Sequence, residues 1–305
     1  MPDPSLVGEM LDQIRNKFFV APDAEITIEA NPGTLYKEKL QIYLEHGINR
    51  LSLGLQSPQN RELKILGRIH TWEEFQESFF MARDAGFSNI NIDLMSAIPE
   101  QTYADWEKNL RTVAGLSPEH ISAYSLIIEE GTPFGERKLK LPDEDTEYRM
   151  YENTAGILAE YGFHQYEISN YARPGMECRH NLGYWTGVSY LGLGLGASSY
   201  VNGCRFCNER DLGIYLGEKP GKRLDQEILT KEDMEEEFFY VGLRLVQGVS
   251  LKEFEERFGE RAQDVYPGLM ERLEKEGAAV LSDGRFRLTD YGMDVRNYVM
   301  AEFLQ

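Results

Sequence analysis

The sequence predicts an α/β chain in which a parallel sheet is followed by a winged-helix-like α+β segment. Three observations carry this expectation. Runs with strand character begin near residues 25, 50, 89 and 120, and intervals of about 25–40 residues are those of βαβ units, which set successive strands parallel. A helical pattern separates each run from the next. From Lys231 the alternation gives way to three helices and a hairpin. No internal sequence repeat accompanies the spacing.

Glu25-Ile26-Thr27-Ile28-Glu29-Ala30 is a β-branched run, closed by the turn residues Asn31-Pro32-Gly33. A helix is expected from about Leu35 to His46, where Gly47 supplies the stop. The next strand, Arg50 to Leu55, ends before Ser57-Pro58, which opens a helix to about Leu66. Thr71 with Glu74 three positions on is a capping box, and that helix stops at Gly86. Asn89–Leu94 reads as a strand, Tyr103–Val113 as a helix, His120–Ile127 as a strand and Glu144–Tyr161 as a helix. Beyond Gly162 the pattern is irregular, with Gln165–Ser169 strand-like and a glycine-rich stretch from Gly183 to Gly203. In the last segment helices are expected over Glu232–Val246, Leu251–Phe258 and Ala262–Glu276. Two strands, Ala279–Leu281 and Phe286–Leu288, flank Ser282-Asp283-Gly284, and a last helix starts at Asp290. The expected organisation is therefore residues 1–165, an irregular stretch 166–230, and a C-terminal domain 231–305.

Composition narrows the function classes. The 305 residues are 42% hydrophobic and 27% charged, which excludes a disordered, collagenous or disulfide-stapled chain. No apolar run approaches the roughly 18–20 residues of a membrane span. Met1-Pro2-Asp3-Pro4 has neither a basic nor an apolar leader, so no signal peptide is expected. Three cysteines in a chain of this length point to a reducing, cytoplasmic setting. A net charge of −19, with no Lys/Arg cluster, disfavours nucleic acid and anionic lipid as partners. Winged helices often bind DNA, but residues 231–305 hold 10 basic against 17 acidic residues, a net of −7. The third helix, Leu269 to Glu276, is too acidic for a major groove, so packing or protein docking is its expected role.

Glu29, Gln56 and Asp93 stand at strand ends. The carboxyl edge of a parallel sheet is where ligands are held. Polar residues in such places also cap loops, and both readings stay open for each taken alone.

Five strings then occur in order: Glu25 to Gly33, Leu51 to Ser57, Leu66-Gly67-Arg68-Ile69-His70, Asn91 to Leu94, and His180-Asn181-Leu182-Gly183-Tyr184-Trp185. Together they resemble the radical-SAM family of anaerobic (oxygen-independent) coproporphyrinogen III oxidases, and most closely its HemW-type branch of haem chaperones. The resemblance runs from about residue 10 to the C-terminal end. It implies a (β/α) radical-SAM barrel with the winged-helix-like domain behind it. It also implies S-adenosylmethionine, a [4Fe–4S] cluster and haem as the family's ligands, and haem-receiving respiratory enzymes as partners. Glu29, Gln56, Arg68 and Asp93 fall where such proteins contact S-adenosylmethionine. The residue types suit that ligand, because an arginine fork holds a carboxylate while carboxylates and amides take ammonium and hydroxyl groups. The alternative for Arg68 is a salt bridge closing a helix end.

One departure stands out. The family holds its cluster with three cysteines in C-x₃-C-x₂-C after the first strand, and the methionyl group on a later G-G-x-T-P segment. Neither string occurs here, and the chain is expected to start about two βα units, or about 60 residues, into the family barrel. The barrel is therefore expected to be partial, with the first two βα units missing. Radical chemistry is then not expected of these residues, and the open edge at Glu25–Ala30 is expected to drive self-association.

Cys178, Cys204 and Cys207, with His180, are a conceivable zinc set by ligand type, but the preferred reading is incidental reduced thiols. His180, Asn181, Tyr184 and Trp185 form the H-N-x-x-Y-W string characteristic of the HemW-type branch. An imidazole beside two large aromatics supplies an axial nitrogen and flat walls for haem. The competing reading is a core cluster with a hydrogen-bonded histidine. The G-x-G run Leu191 to Ser199 opens no helix in a βαβ unit, so a close backbone approach near a cleft is expected rather than a dinucleotide site. Functions in competition are thus a haem-binding chaperone, a coproporphyrinogen oxidase of porphyrin synthesis, a non-functional truncated relative, and a winged-helix regulator, which the charge disfavours.

Overall fold

The computed structural model describes residues 3–132, 134–217 and 223–304. The chain divides into two compact units, Met1–Cys178 and Arg179–Gln305.

The first unit runs α1 (Pro4–Lys17), β1 (Thr27–Ala30), α2 (Lys37–Glu45), β2 (Arg50–Gln56), α3 (Asn60–Ile65), α4 (Trp72–Ala85), β3 (Ile90–Ser96), α5 (Tyr103–Ala114), β4 (His120–Ser125), α6 (Glu144–Ala159), β5 (His164–Glu167) and β6 (Asn170–Ala172). Among the described residues the strands form one sheet in the order β1-β2-β3-β4-β6-β5. The first four are parallel, and β6 turns antiparallel to both β4 and β5. The expected parallel sheet is present over its predicted strands.

Local chemistry explains the helices that cover it. Thr71 accepts from the Glu74 backbone while the Glu74 carboxylate takes the Thr71 N–H, and Gly86 ends α4 at φ +115°. Phe75, Phe79 and Ala82 then recur on one face and are buried. Thr102 and Asp105 repeat the capping box on α5. Its Trp106 lies in the core, where the indole N–H donates to Thr154 Oγ1 at 2.9 Å and fixes α5 against α6.

The two faces of the sheet differ. Leu51, Leu53, Leu55, Ile90, Ile92, Leu94 and Ile121 are fully buried under helices, and each contributes about 1.5–3 kcal/mol by leaving water. Alternate residues point the other way, and here they are polar. The register sets Glu29 beside Ser52, Ser52 beside Asn91, and Asn91 beside His120. Parallel sheets covered on both faces read as continuous apolar runs. This sheet therefore has one apolar and one polar face.

The second unit begins with α7 (Arg179–Trp185), then β7 (Ser198–Val201), β8 (Cys204–Cys207), α8 (Leu212–Tyr215) and β9 (Leu224–Ile228). It continues through α9 (Lys231–Gly242), β10 (Val249–Ser250), α10 (Leu251–Phe258), α11 (Ala262–Val265), α12 (Leu269–Lys275), β11 (Ala279–Ser282), β12 (Arg285–Leu288), α13 (Asp290–Asp294) and α14 (Arg296–Ala301). Strands β7, β8 and β9 form one antiparallel sheet, and β10, β12 and β11 another. Phe239, Phe254, Phe286 and Phe303 build the core beneath the latter, with Phe239 and Phe303 stacked at 4.3 Å.

Three expectations need correction. Residues 166–178, expected in an irregular stretch, complete the first sheet and its unit through the β5–β6 hairpin. The rest of that stretch is not irregular, since 198–228 contribute a three-stranded sheet. The single helix expected over Ala262–Glu276 is two, because Pro267 forbids the helical conformation at Tyr266 and Gly268 sits at φ +74°.

Candidate functional site

The polar face of the first sheet converges on Asp93. Its carboxylate accepts from Asn91 Nδ2 at 2.7 Å and from the Ser52 hydroxyl at 3.4 Å. Burial pushes its pKa up, against the hydrogen bonds from Asn91 and Ser122, and the Glu29 charge pushes in the same direction. Behind Asn91 lies His120, fully buried, with Nδ1 at 2.6 Å from Asn91 Oδ1 and Nε2 at 2.8 Å from the Tyr166 hydroxyl. Burial, with some help from the Arg50 charge, holds this imidazole well below its ordinary pKa, so it is neutral.

Gln56 ends β2 where the pairing with β3 shifts register, and its φ is +73°. Its side-chain oxygen accepts from the Tyr124 hydroxyl at 2.9 Å. Gly54 makes room there, because a Cβ at that position would lie 3.3 Å from Gln56 Nε2 and 3.6 Å from Asn31 Oδ1. Arg68 follows the left-handed turn at Gly67 and reaches the same place, donating to Asn31 Oδ1 at 3.4 Å. No carboxylate pairs with it among the described residues, so the helix-closing salt bridge is not what occupies Arg68. Tyr124 is raised by burial first, and it feels Asp93, Arg68 and Glu29 together. The fold thus gathers Glu29, Gln56, Arg68 and Asp93 about Tyr124, with Asp93 at the middle of β3 and not at the strand end expected of it. Asn31, Asn91, His120 and Tyr124 belong to the same constellation and were not singled out from sequence. The alternation Asn89-Ile90-Asn91-Ile92-Asp93 and His120-Ile121-Ser122-Ala123-Tyr124 carries the signal that finds three of them.

The cysteines stand elsewhere. Cys178 Sγ lies 3.5 Å from Glu25 Oε1 in the first unit, whereas Cys204 and Cys207 belong to β8 in the second. Three positions along a strand is an odd step, which sends the two thiols to opposite faces. Among the described residues no cluster of three His, Cys, Asp or Glu side chains is placed to hold a metal ion.

The H-N-x-x-Y-W string forms α7, and the helix divides it. Tyr184 and Trp185 line a cavity of about 360 Å³ within the second unit, together with Tyr190, Tyr200, Phe238 and Val249. His180 and Asn181 are not in that lining. The His180 ring meets Tyr184 edge-on at 4.8 Å, and Tyr184 meets Tyr190 at 5.0 Å, so the imidazole adjoins the aromatic wall from outside. The core-cluster reading fails for Tyr184, which is 40% exposed. The buried Trp185 Nε1 has no hydrogen-bond partner among the described residues, and Arg244 stacks over the indole at 5.3 Å. The G-x-G run Leu191 to Ser199 contributes no residue to the cavity lining. Gly192 allows a close approach to the Ser198 carbonyl, which a Cβ would meet at 2.3 Å, and Asn208 ties the carbonyls of Gly192 and Gly194.

Comparison with known proteins places this arrangement. The "Heme chaperone HemW" of Bacillus subtilis (strain 168) is 38% identical over 305 residues, covering 97% of this chain and 80% of the relative. The protein of the same name from Escherichia coli (strain K12) is 35% identical, covering 97% and 79%. The chain belongs to the radical-SAM HemW family. The radical SAM superfamily pattern matches residues 2–113, and the HemN C-terminal domain matches residues 229–295. The solved structure titled "Coproporphyrinogen III oxidase (HemN) from Escherichia coli is a Radical SAM enzyme." superposes with a TM-score of 0.84. It covers all of this chain and 75% of the other at 22% identity, and so it shows the fold alone. In this HemW-family chain Glu29, Gln56, Arg68 and Asp93 all lie inside the radical SAM match. Tyr184, Trp185, Tyr190 and Tyr200 lie outside both matches, while Phe238 and Val249 of the same cavity lie inside the HemN C-terminal one. Among the described residues no helix is long and apolar enough to cross a membrane.

Proposed function

We propose that this chain binds haem in the cavity of its second unit and carries it as a chaperone, in the cytoplasm, for respiratory enzymes that receive it. The observation that supports this reading is the aromatic wall of Tyr184, Trp185, Tyr190 and Tyr200 around about 360 Å³. That volume is at the lower end of the range for small-molecule pockets, about 300–1,000 Å³. A macrocycle therefore enters by one edge and stays exposed along the other, which suits cargo that must be handed on. Tyr184 and Trp185 offer ring faces, and His180, in contact with Tyr184, is the candidate axial nitrogen. Asn181, one residue further along α7, remains part of the proposed site. Relatives named as haem chaperones support the assignment of the ligand.

The constellation about Tyr124 is the proposed S-adenosylmethionine site. Its donor set fits the group: Arg68 has a guanidinium that no carboxylate among the described residues holds, and Glu29, Gln56 and Asp93 supply acceptors for ammonium and hydroxyl groups. With a [4Fe–4S] cluster this ligand supplies radical chemistry. The three-cysteine string for such a cluster does not occur in these 305 residues, so the residues described here are assigned binding and orientation only. A coproporphyrinogen oxidase activity has the fold in its favour and no further residue.

The test is a hemin titration followed in the Soret band, with His180→Ala and Trp185→Ala in parallel and thermal melts to verify folding. Stoichiometric, saturable binding weakened by both substitutions is expected. A folded chain that shows no saturable binding would overturn the reading. Calorimetry with S-adenosylmethionine is expected to give affinity weaker than micromolar, and a micromolar constant would contradict the view that only part of that site lies within these residues.

A further inference from the structure

We infer that the cavity of the second unit is a site for a flat apolar molecule bearing a carboxylate, and that Arg257 is the residue that takes the carboxylate. The cavity has aromatic and aliphatic walls and three arginines in its lining, Arg205, Arg257 and Arg285. Two of them are already engaged. Arg205 pairs with Glu237 at 2.6 Å. Arg285 donates to the carbonyls of Gln247 and Gly248 at 3.0 and 2.6 Å. Arg257 makes no ion pair and no side-chain hydrogen bond among the described residues, although Glu253 lines the same cavity one turn earlier on α10.

Its position is nevertheless defined. The guanidinium carbon lies 5.3 Å from the centre of the Phe258 ring. The head group lies against Gly187, two residues beyond Trp185, where a Cβ would come within 3.0 Å of Nη1. Gly187 has φ +67°, a conformation that a side chain disfavours, so the backbone at this point both turns and leaves space for the guanidinium. An unengaged arginine at the mouth of an aromatic cavity is unusual in a chain of net charge −19, where acidic partners abound. A guanidinium fork matches a carboxylate with two parallel hydrogen bonds, and the apolar walls give the rest of the ligand its affinity. The residue thus fixes which edge of the ligand faces outward. For the natural ligand this step rests on the haem reading above, in which the carboxylate is a propionate side chain of the macrocycle.

The inference is tested with 1-pyrenebutyrate, a flat apolar carboxylate, and its methyl ester, each followed by fluorescence anisotropy with the full chain. The acid is expected to bind saturably and to lose about tenfold or more in affinity in Arg257→Gln, the size expected for one charge-assisted contact. Arg257→Lys should lose less, and the ester should not distinguish Arg257→Gln from wild type. Gly187→Ala, which crowds Nη1, should weaken the acid selectively. Arg257 is exposed, so the melting temperature of Arg257→Gln should be unchanged. Hemin titrated beside the probe separates the two readings. Dependence of the acid on Arg257 with no hemin binding leaves the carboxylate site standing and sinks the haem assignment. Equal hemin and acid affinities in wild type and Arg257→Gln overturn the role of Arg257 and leave haem binding intact. Absence of saturable acid binding by folded wild type overturns the site itself.

Discussion

The Tyr124 hydroxyl donates to the side-chain oxygen of Gln56 at 2.9 Å, across two strands that are not neighbours in the sheet. Gln56 carries φ +73°, and a non-glycine residue held there costs about 1–3 kcal/mol. The bond from β4 is one of the contacts that offset this strain, and it aims the amide into the constellation that Asp93 and Arg68 share. Tyr124→Phe should therefore lower stability by about 1 kcal/mol, the net worth of one hydrogen bond. The cost should shrink in a Gln56→Gly background, where both the strain and the acceptor are gone. Urea denaturation of the four members of this double-mutant cycle checks the point, and strictly additive effects would contradict it.

Asp93 should separate binding from stability. Burial raises its pKa and makes the charged form expensive, so the carboxylate is kept at a thermodynamic cost. In Asp93→Asn the oxygen can still accept from Asn91 Nδ2, and the new amide can donate to the Ser52 or Ser122 hydroxyl. Thermal unfolding is expected to show stability within about 1 kcal/mol of wild type, or above it. Residual S-adenosylmethionine binding should fall in the same variant. A loss of several kcal/mol would mean that Asp93 is a structural centre instead.

Two buried imidazoles give the fold a pH dependence of definite sign. His120 is held well below its ordinary pKa and His70 is lowered too, in both cases chiefly by burial. The unfolded chain binds these protons near the ordinary value of about 6.5, and the native chain does not. Below that pH the unfolded state holds more protons, so stability is complete above about 6.5 and falls as the pH drops further. Each histidine contributes a slope of up to about 1.4 kcal/mol per pH unit. The raised Asp93 pKa works in the opposite direction, at and above the ordinary aspartate value of about 3.9. Urea midpoints at pH 5.5 and 7.5 should differ in wild type and differ less in His120→Gln. Equal differences in the two proteins would exclude His120 as a source.

Local signals were legible where the chemistry is local. Thr71, Glu74 and Gly86 fix both ends of α4 before any packing is known. The same holds for the strand pattern and for Glu29 and Gln56 near the ends of β1 and β2, but Asp93, expected at a strand end, stands at the middle of β3 because that strand continues to Ser96. What sequence missed depends on distant pairing. The antiparallel strand at Asn170–Ala172 is defined by its partners on β4 and β5, and nothing in its three residues announces it. The H-N-x-x-Y-W string was legible as a motif, but its division was not. Only the helix over Arg179–Trp185 sets His180 against Tyr184 one turn away, and only the folded unit shows which of its members line the cavity. Arg257 is the one arginine of an acidic helix, and nothing marks it until the partners of Arg205 and Arg285 are known.

Strand β1 sits at an end of the sheet and pairs with β2 alone among the described residues. Its free side is a row of backbone groups able to accept another strand. Nearby, Phe18 and Phe19 border the same shallow recess as Ile26 and Asn49, and Phe19 is 92% exposed. An unpaired edge beside exposed aromatics favours contact with a second copy, whereas the shortness of β1 and the Glu29 charge work against it. The balance should appear as association that depends on concentration in sedimentation velocity. Thr27→Lys, on the exposed end of β1, and Phe19→Ser should each shift it toward monomer severalfold. Phe19→Ser alone acting would assign the contact to the aromatic recess, and Thr27→Lys alone acting would assign it to strand addition. A single monomeric species at every concentration would show that four residues with one charge are enough to protect this edge.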